Sequence, residues 1–306
     1  MKKQLFVLVS LIVATSMILT GCAAPATPTA APAAPAAPAA TAAPVIQTQV
    51  VQVVVTATPA PVMAPAGGEI AVIVKTGDSG YWQNVQAGAV AAEKELRATT
   101  PKLTVTFLGA QSESNIDEEI NIVESAIDRG VKAIVLAPSD ATALQPAVAD
   151  AKKAGIPVLI IDSALNGDPS QYVSFLATDN KAAGEACGKA MVDALTAAGK
   201  TTGKIQIMSF VAGAGSEIGR VGGFTDYIKN NSKFTIVSPT QYSNSDMPTA
   251  LNQTTNVLNA NPDLVGIFGA NEPTAIGMGT AIKNAKLSGK IVAIGFDGAD
   301  QEQAFI

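Results

Sequence analysis

No histidine occurs in these 306 residues. That absence removes the Ser-His-Asp and Cys-His relays and most zinc sites. Cysteine is scarce, with Cys22 and Cys187 alone. Aromatic residues make up 5% of the chain, and Trp82 is its one tryptophan. Charged residues are also few, at 15%, and acids outnumber Lys and Arg to give a net charge of −5. An acidic chain without basic clusters argues against nucleic acid as a partner. No G-x-x-x-x-G-K-[ST] loop is present to hold nucleotide phosphates, and neither a cofactor nor a metal ion is expected. Charge is missing altogether between Lys3 and Glu69, which sets the first part of the chain apart.

That part begins with Lys2 and Lys3, runs through a largely apolar stretch from Leu5 to Leu19, and closes on Leu19-Thr20-Gly21-Cys22. A positive start, a short apolar run and small residues before a cut make a secretory signal. Leu-Thr-Gly-Cys resembles the lipobox of bacterial lipoproteins. The resemblance implies removal of residues 1–21, acylation of Cys22, and a chain anchored to the cell membrane outside the cytoplasm, in the periplasm or on the outer face. An uncleaved transmembrane anchor is the alternative, but the apolar run falls short of the about 20 residues that a spanning helix needs. With the signal gone, the loss of Lys2 and Lys3 takes the net charge to −7. Acylated Cys22 would leave Cys187 without a disulfide partner. Cys187 lies in the alanine-rich helical pattern Ala183–Leu195 and reads as a small core residue. Residues 22–66 are rich in Ala, Pro, Thr and Val, and their prolines favour an extended, semi-rigid spacer. Within it, Val45–Thr58 has strand propensity at Val50, Val51, Val53, Val54 and Val55, and is read as part of a poorly ordered linker.

From Glu69 onward short apolar runs alternate with amphipathic stretches. The predicted strands are Ile70–Val74, Leu103–Leu108, Ala133–Leu136, Val158–Ile161, Tyr172–Phe175, Ile205–Phe210, Thr235–Val237, Val265–Phe268 and Ile291–Gly295. Most are nearly continuous in Val, Ile and Leu, as strands covered on both faces are. Helix-length segments separate them, with Ser139-Asp140 or Thr142 as a start signal and Gly130 and Gly155 as stops. This alternation predicts an α/β fold with parallel sheets flanked by helices. The turn-rich cluster Asn166-Gly167-Asp168-Pro169 breaks the series. It suggests two Rossmann-like lobes, 67–162 and 163–306, hinged around a cleft.

Ligands of open α/β sheets sit beyond the carboxyl ends of the strands, so the polar residues there are candidates. They are Lys75, Asp78, Ser79, Tyr81 and Trp82 after the first strand, Asp162 after the fourth, Arg220 beyond Phe210, Asn271 and Glu272 after Phe268, and Asp297 after Gly295. Such a set suits a sugar: planar Asp, Asn and Arg groups pair with neighbouring hydroxyls, and aromatic rings cover the apolar face. Plainer roles compete. Asp78 and Ser79 are placed to cap the following helix, Tyr81 or Trp82 to pack, Asn271 to cap, and Arg220 to pair with Glu217 on the surface. Asp162 and Asp297 each follow a buried strand, where an unpaired carboxylate is costly; stabilising a hinge is their rival role. Gly213-Ala-Gly215-Ser-Glu-Ile-Gly219 approaches a dinucleotide fingerprint, but its spacing is one residue too long and no ribose-binding acid follows the next strand. Its glycines are read as tight-turn geometry.

Residues 69–306 resemble the periplasmic sugar-binding proteins of ABC importers, in the ribose/galactose-type group that shares its fold with the LacI regulators. The resemblance rests on Gly130-Val-Lys-Ala-Ile-Val-Leu-Ala-Pro138, Ala154-Gly-Ile-Pro-Val-Leu-Ile-Ile-Asp162, Ala177-Thr-Asp-Asn180, Arg220–Phe224, Gly269-Ala-Asn-Glu272 and Ile294-Gly-Phe-Asp-Gly298, with Ile70–Val74 and the aromatics after it. It implies sugar contacts from Tyr81, Trp82, Asp162, Arg220, Asn271 and Asp297, a type I periplasmic binding protein fold, no enzymatic activity, and a monomer that delivers a monosaccharide to ABC permease subunits. Lys75, Ser163 and Glu272 depart from the ribose binders, which argues against ribose itself while leaving a monosaccharide reasonable. The resemblance also implies further elements beyond Gly298, so the C-terminal part is expected to be missing and the first lobe incomplete. A sensor that presents a sugar or related small polar molecule to a membrane receptor is the alternative, because its site would look the same. A repressor would need an N-terminal helix-turn-helix. A glycosidase would need a proton donor beside Asp162 and Asp297, and none is identified.

Overall fold

Alternate residues of the first strand face two different cores. In β1 (Gly68–Val74), Ala71 and Ile73 enter one apolar cluster, while Val72 and Val74 enter another with Trp82. This is the pattern of a strand covered on both faces. The computed structural model describes residues 67–306. The expected signal sequence, Cys22, the linker and its valine-rich stretch Val45–Thr58 lie outside the described residues.

The first lobe continues through α1 (Gly80–Leu96), β2 (Leu103–Gly109), α2 (Ile116–Asp128), β3 (Ala133–Leu136), α3 (Gln145–Lys153), β4 (Val158–Ile161) and β5 (Ser174–Leu176). Its sheet is wholly parallel, in the order β2-β1-β3-β4-β5. Gly130 and Gly155 follow α2 and α3 with φ of 66° and 74°, a left-handed turn that favours glycine. Asp140 caps the turn ahead of α3, accepting from the backbone N–H groups of Thr142 and Ala143. Strand β5 corrects the expected boundary at residue 162. It pairs with β4 in register Leu159 to Ser174, so the chain leaves the first lobe only after Leu176. The turn at 166–169 is a loop inside that lobe, where polar composition mimics a domain linker.

The second lobe comprises α4 (Asn180–Ala197), β6 (Gly203–Ser209), α5 (Gly215–Asn231), β7 (Phe234–Ile236), β8 (Gln241–Tyr242), α6 (Met247–Ala260), β9 (Leu264–Gly269), α7 (Glu272–Asn284), β10 (Val292–Ile294) and α8 (Asp300–Gln303). Its sheet runs β10-β9-β6-β7, and β8 also pairs with β6, farther along that strand. Ile205 and Ile207 of β6 face a core with Phe224 and Phe268, whose rings stack at 4.3 Å, while Met208 faces α6 and α7. Helices α4 and α5 pack at backbone distance. A Cβ on Gly184 would run into the carbonyl oxygen of Arg220, and one on Gly223 into that of Lys181. This close approach fixes the height of Arg220 on α5. No helix among the described residues is long and apolar enough to cross a membrane.

Candidate functional site

Six strands, β1, β2, β4, β6, β9 and β10, point their carboxyl ends at one solvent-connected cleft between the lobes. The first lobe lines it with Lys75, Ser79, Tyr81, Trp82, Glu113 and Asp162, and the second with Phe210, Ser216, Arg220, Asn271, Glu272 and Asp297. Nine of the ten candidates at the strand ends therefore meet there. Asp78 does not. It is exposed and accepts a bond from the Thr76 hydroxyl at 2.6 Å, because the turn into α1 directs it away from the cleft. Ser79 combines both proposed roles, since it lines the cleft and caps α1 by accepting from the Trp82 N–H.

The first-lobe wall is organised around Asp162. Its backbone lies at φ 63°, a left-handed conformation that is costly for a residue with a Cβ and recurs at functional sites. Asp162 Oδ1 accepts from the Tyr81 hydroxyl at 3.1 Å. Oδ2 pairs with Lys75 Nζ at 2.9 Å and accepts from the Ser163 hydroxyl at 2.8 Å. Burial works against the charge, but Lys75 and the Ser163 hydroxyl outweigh it and hold the carboxyl below its ordinary 3.8. Lys75 is itself buried, lies 5.9 Å from the centre of the Trp82 ring, and donates to Ser216 Oγ of the second lobe at 3.2 Å. Ser163 Oγ reaches the same Ser216 at 2.8 Å. The two departures from the ribose pattern at Lys75 and Ser163 thus act on one carboxylate and one cross-cleft hydroxyl. Burial, followed by the Asp162 charge, pushes the Tyr81 phenol far above its ordinary 10 and keeps its proton in place.

Arg220 anchors the second wall. It is buried, which excludes a surface pair with Glu217; that carboxylate accepts from Ser209 instead. Its Nε and Nη2 donate to Asn180 Oδ1 at 3.2 and 2.8 Å, and Nη1 donates to the Ala270 carbonyl at 2.5 Å. The guanidinium lies 3.4 Å from the centroid of the Phe296 ring. A guanidinium has five N–H donors, so these three bonds leave two for a ligand in a plane already fixed. Asp297, at φ 78°, accepts from the Glu272 N–H at 2.8 Å and is open to the cleft. Surrounding protein raises its pKa and the Arg220 charge opposes that shift. Glu272 is shifted up as well, by burial and by Asp297, and its Oε1 accepts from the Gly80 N–H across the cleft at 3.1 Å. Asn271 lines the cleft while also capping α7 through Thr274 N.

Several participants carried no sequence signal strong enough to select them. Glu113 sits in the loop after β2, one acid among many. Ser216 lies in the first turn of α5, and Phe210 directly follows β6. Asn180 was visible in the stretch Ala177–Asn180, but its role depends on the packing of α4 on α5. Trp82 is 2% exposed and belongs to the first-lobe core as well as to the cleft wall, so Tyr81 carries the accessible ring. Cys187 packs against the second core, and burial pushes its thiol up to about 11. Among the described residues, no group of His, Cys, Asp and Glu could hold a metal ion.

Residues 70–306 match the family described as periplasmic binding protein domain. An ABC-transporter solute-binding protein from Agrobacterium vitis with bound D-fucose is 61% identical, covers 78% of this chain and 80% of its own, and superposes with a TM-score of 0.74. A carbohydrate-transporter solute-binding protein from Agrobacterium radiobacter in complex with D-arabinose is 36% identical, with coverages of 79% and 80% and a TM-score of 0.73. The D-allose-binding periplasmic protein of Escherichia coli is 29% identical over 246 residues, which are 79% of this chain and 76% of that protein.

Proposed function

The chain belongs to the periplasmic binding protein family, and from that premise we propose that it is the extracytoplasmic substrate-binding component of an ABC importer. In this reading it binds one neutral monosaccharide between its lobes and delivers it to permease subunits in the membrane. The ligand class is a monosaccharide of the D-fucose or D-arabinose kind, the sugars bound by the similar solute-binding proteins. Acylated Cys22 and the proline-rich segment would tether the domain outside the cytoplasm, and the domain would act as a monomer. We assign it no catalytic step.

The observation that carries this reading is the meeting of Asp162 and Tyr81 from one lobe with Arg220, Asn271 and Asp297 from the other in a single cleft. A sugar bonded to both walls favours the closed arrangement of the lobes only as far as its contacts differ between open and closed states. Charge-assisted bonds contribute about 1.5–3 kcal/mol each. Two or three from each wall reach the about −8 kcal/mol of a micromolar complex once association costs are met. Isothermal titration with D-fucose, D-galactose, D-arabinose, D-ribose and D-allose tests the proposal. A single site with micromolar or tighter affinity for at least one of them is expected, and absence of binding to all five would refute it.

A further inference from the structure

Glu113 is the cleft carboxylate that no motif selected, and it touches both lobes. It is 5% exposed. Its Oε1 accepts from the Trp82 indole N–H at 2.8 Å, within its own lobe. Its Oε2 accepts from the Ser245 hydroxyl at 2.6 Å, across the cleft. Ser245 Oγ in turn accepts from Asn271 Nδ2 at 3.0 Å. Four side chains therefore form one directional series, in which Asn271 donates to Ser245, Ser245 donates to Glu113, and Trp82 donates to Glu113 from the other side.

Backbone conformation singles out the middle member. Asn244 and Ser245 lie at φ 56° and 58°, two consecutive left-handed residues without glycine. Such a conformation is costly for a residue with a Cβ, and it persists where surrounding contacts hold it. The loop between β8 and α6 presents the Ser245 hydroxyl to Glu113 in this way. The donor inventory then fixes the polarity of the second wall. Asn271 Oδ1 already accepts from Thr274 N, so its amide cannot be turned over without losing both bonds, and its remaining Nδ2 hydrogen is a donor for the cleft.

We infer that Glu113 and Ser245 form a cross-cleft positioning relay that sets the Trp82 wall and the Asn271 amide together, so that Asn271 meets an acceptor oxygen of the ligand. This deepens the sugar-binding reading and rests on it for the ligand. Each Glu113 oxygen accepts from one donor, Oε1 from Trp82 and Oε2 from Ser245. A glutamine there has one acceptor oxygen, and one of the two donors loses its partner.

The test uses the full chain as wild type, Glu113→Gln, Ser245→Gly and the double variant. Ser245→Gly removes the hydroxyl and relieves the left-handed backbone together, so a merely structural role for Ser245 and a relay role predict opposite results. The relay predicts a thermal midpoint that is not lowered in Ser245→Gly, with affinity for the best-bound monosaccharide about tenfold weaker. Glu113→Gln is expected to lose about as much, and the double variant no more than the worse single, because coupled residues are non-additive. Trp82 is the sole tryptophan, so its emission in Ser245→Gly without sugar reports the relay directly, and it is expected to differ from wild type. Losses that multiply in the double variant, or affinities within twofold of wild type in both singles, overturn the inference. If the wild type binds no monosaccharide, the functional reading fails, and the Trp82 emission of Ser245→Gly alone decides the relay: changed supports it, unchanged overturns it.

Discussion

Glu119 of α2 is fully buried beneath the cleft wall, and replacing it with glutamine should make the protein more stable at alkaline pH. Its Oε2 accepts from the Ser139 N–H at 3.0 Å, but Oε1 and the Ser139 hydroxyl have no hydrogen-bond partner. Burial pushes its carboxyl from an ordinary 4.5 up to about 7, against the bond from the Ser139 N–H and the attraction of Lys75. Below pH 4.5 the folded and unfolded chains both hold this proton. Between pH 4.5 and about 7 the folded chain keeps a proton that the unfolded chain has released, so stability falls as pH rises. Above that window the loss is complete, and at about 1.4 kcal/mol per pKa unit it amounts to about 3 kcal/mol. Glutamine removes the titration. Its oxygen can accept from Ser139 N while its amide donates to the unpartnered Ser139 hydroxyl. Urea denaturation of wild type and Glu119→Gln from pH 5 to pH 9 measures the difference. The two should diverge by about 3 kcal/mol across that range in favour of the variant. Parallel curves would refute the placement of Glu119 as a buried, half-satisfied acid.

Arg220→Lys removes the planar fork and both free donors, and should weaken monosaccharide binding by about a hundredfold or more, given about 1.5–3 kcal/mol for each charged bond lost; titration calorimetry within threefold of wild type would contradict this. Gly184→Ala drives a methyl group into the Arg220 carbonyl, so it should cost about 1–3 kcal/mol of stability by overpacking and displace the guanidinium. Thermal unfolding and sugar titration of that variant check both effects. Asp162→Asn leaves buried Lys75 without its anionic partner and should cost several kcal/mol, about 3–5 in comparable cases. The double variant Lys75→Met with Asp162→Asn should recover much of that loss in urea denaturation, and no recovery would show that Lys75 does not depend on Asp162.

The fold was largely legible because parallel strands buried on both faces leave continuous apolar runs, and nearly every predicted strand falls within two residues of its observed position. β8 escaped notice because a two-residue strand, Gln241–Tyr242, has no period to detect. The lobe boundary was misplaced for a different reason. Whether β5 joins the first sheet or the second depends on pairing with β4, a long-range contact that local turn chemistry at 166–169 does not encode. Strand ends lead to the cleft, since Lys75, Asp162, Asn271 and Asp297 line it and each follows a strand directly or nearly so. Asp78 shows the limit of that rule, for it shares the loop of Ser79 and yet faces solvent. Glu113 and Asn180 act through partners about 130 and 40 residues away, and spacing along the chain gives no hint of either.

In the proposed function both walls of the cleft grip one sugar. Isothermal titration of wild type, Asp162→Ala and Arg220→Ala with the best-bound monosaccharide of the panel tests this most directly, because the two residues belong to different lobes. The expected result is one site in the wild type and at least tenfold weaker binding in each variant. Tight binding that survives either substitution would place the ligand on one lobe alone and contradict the shared site.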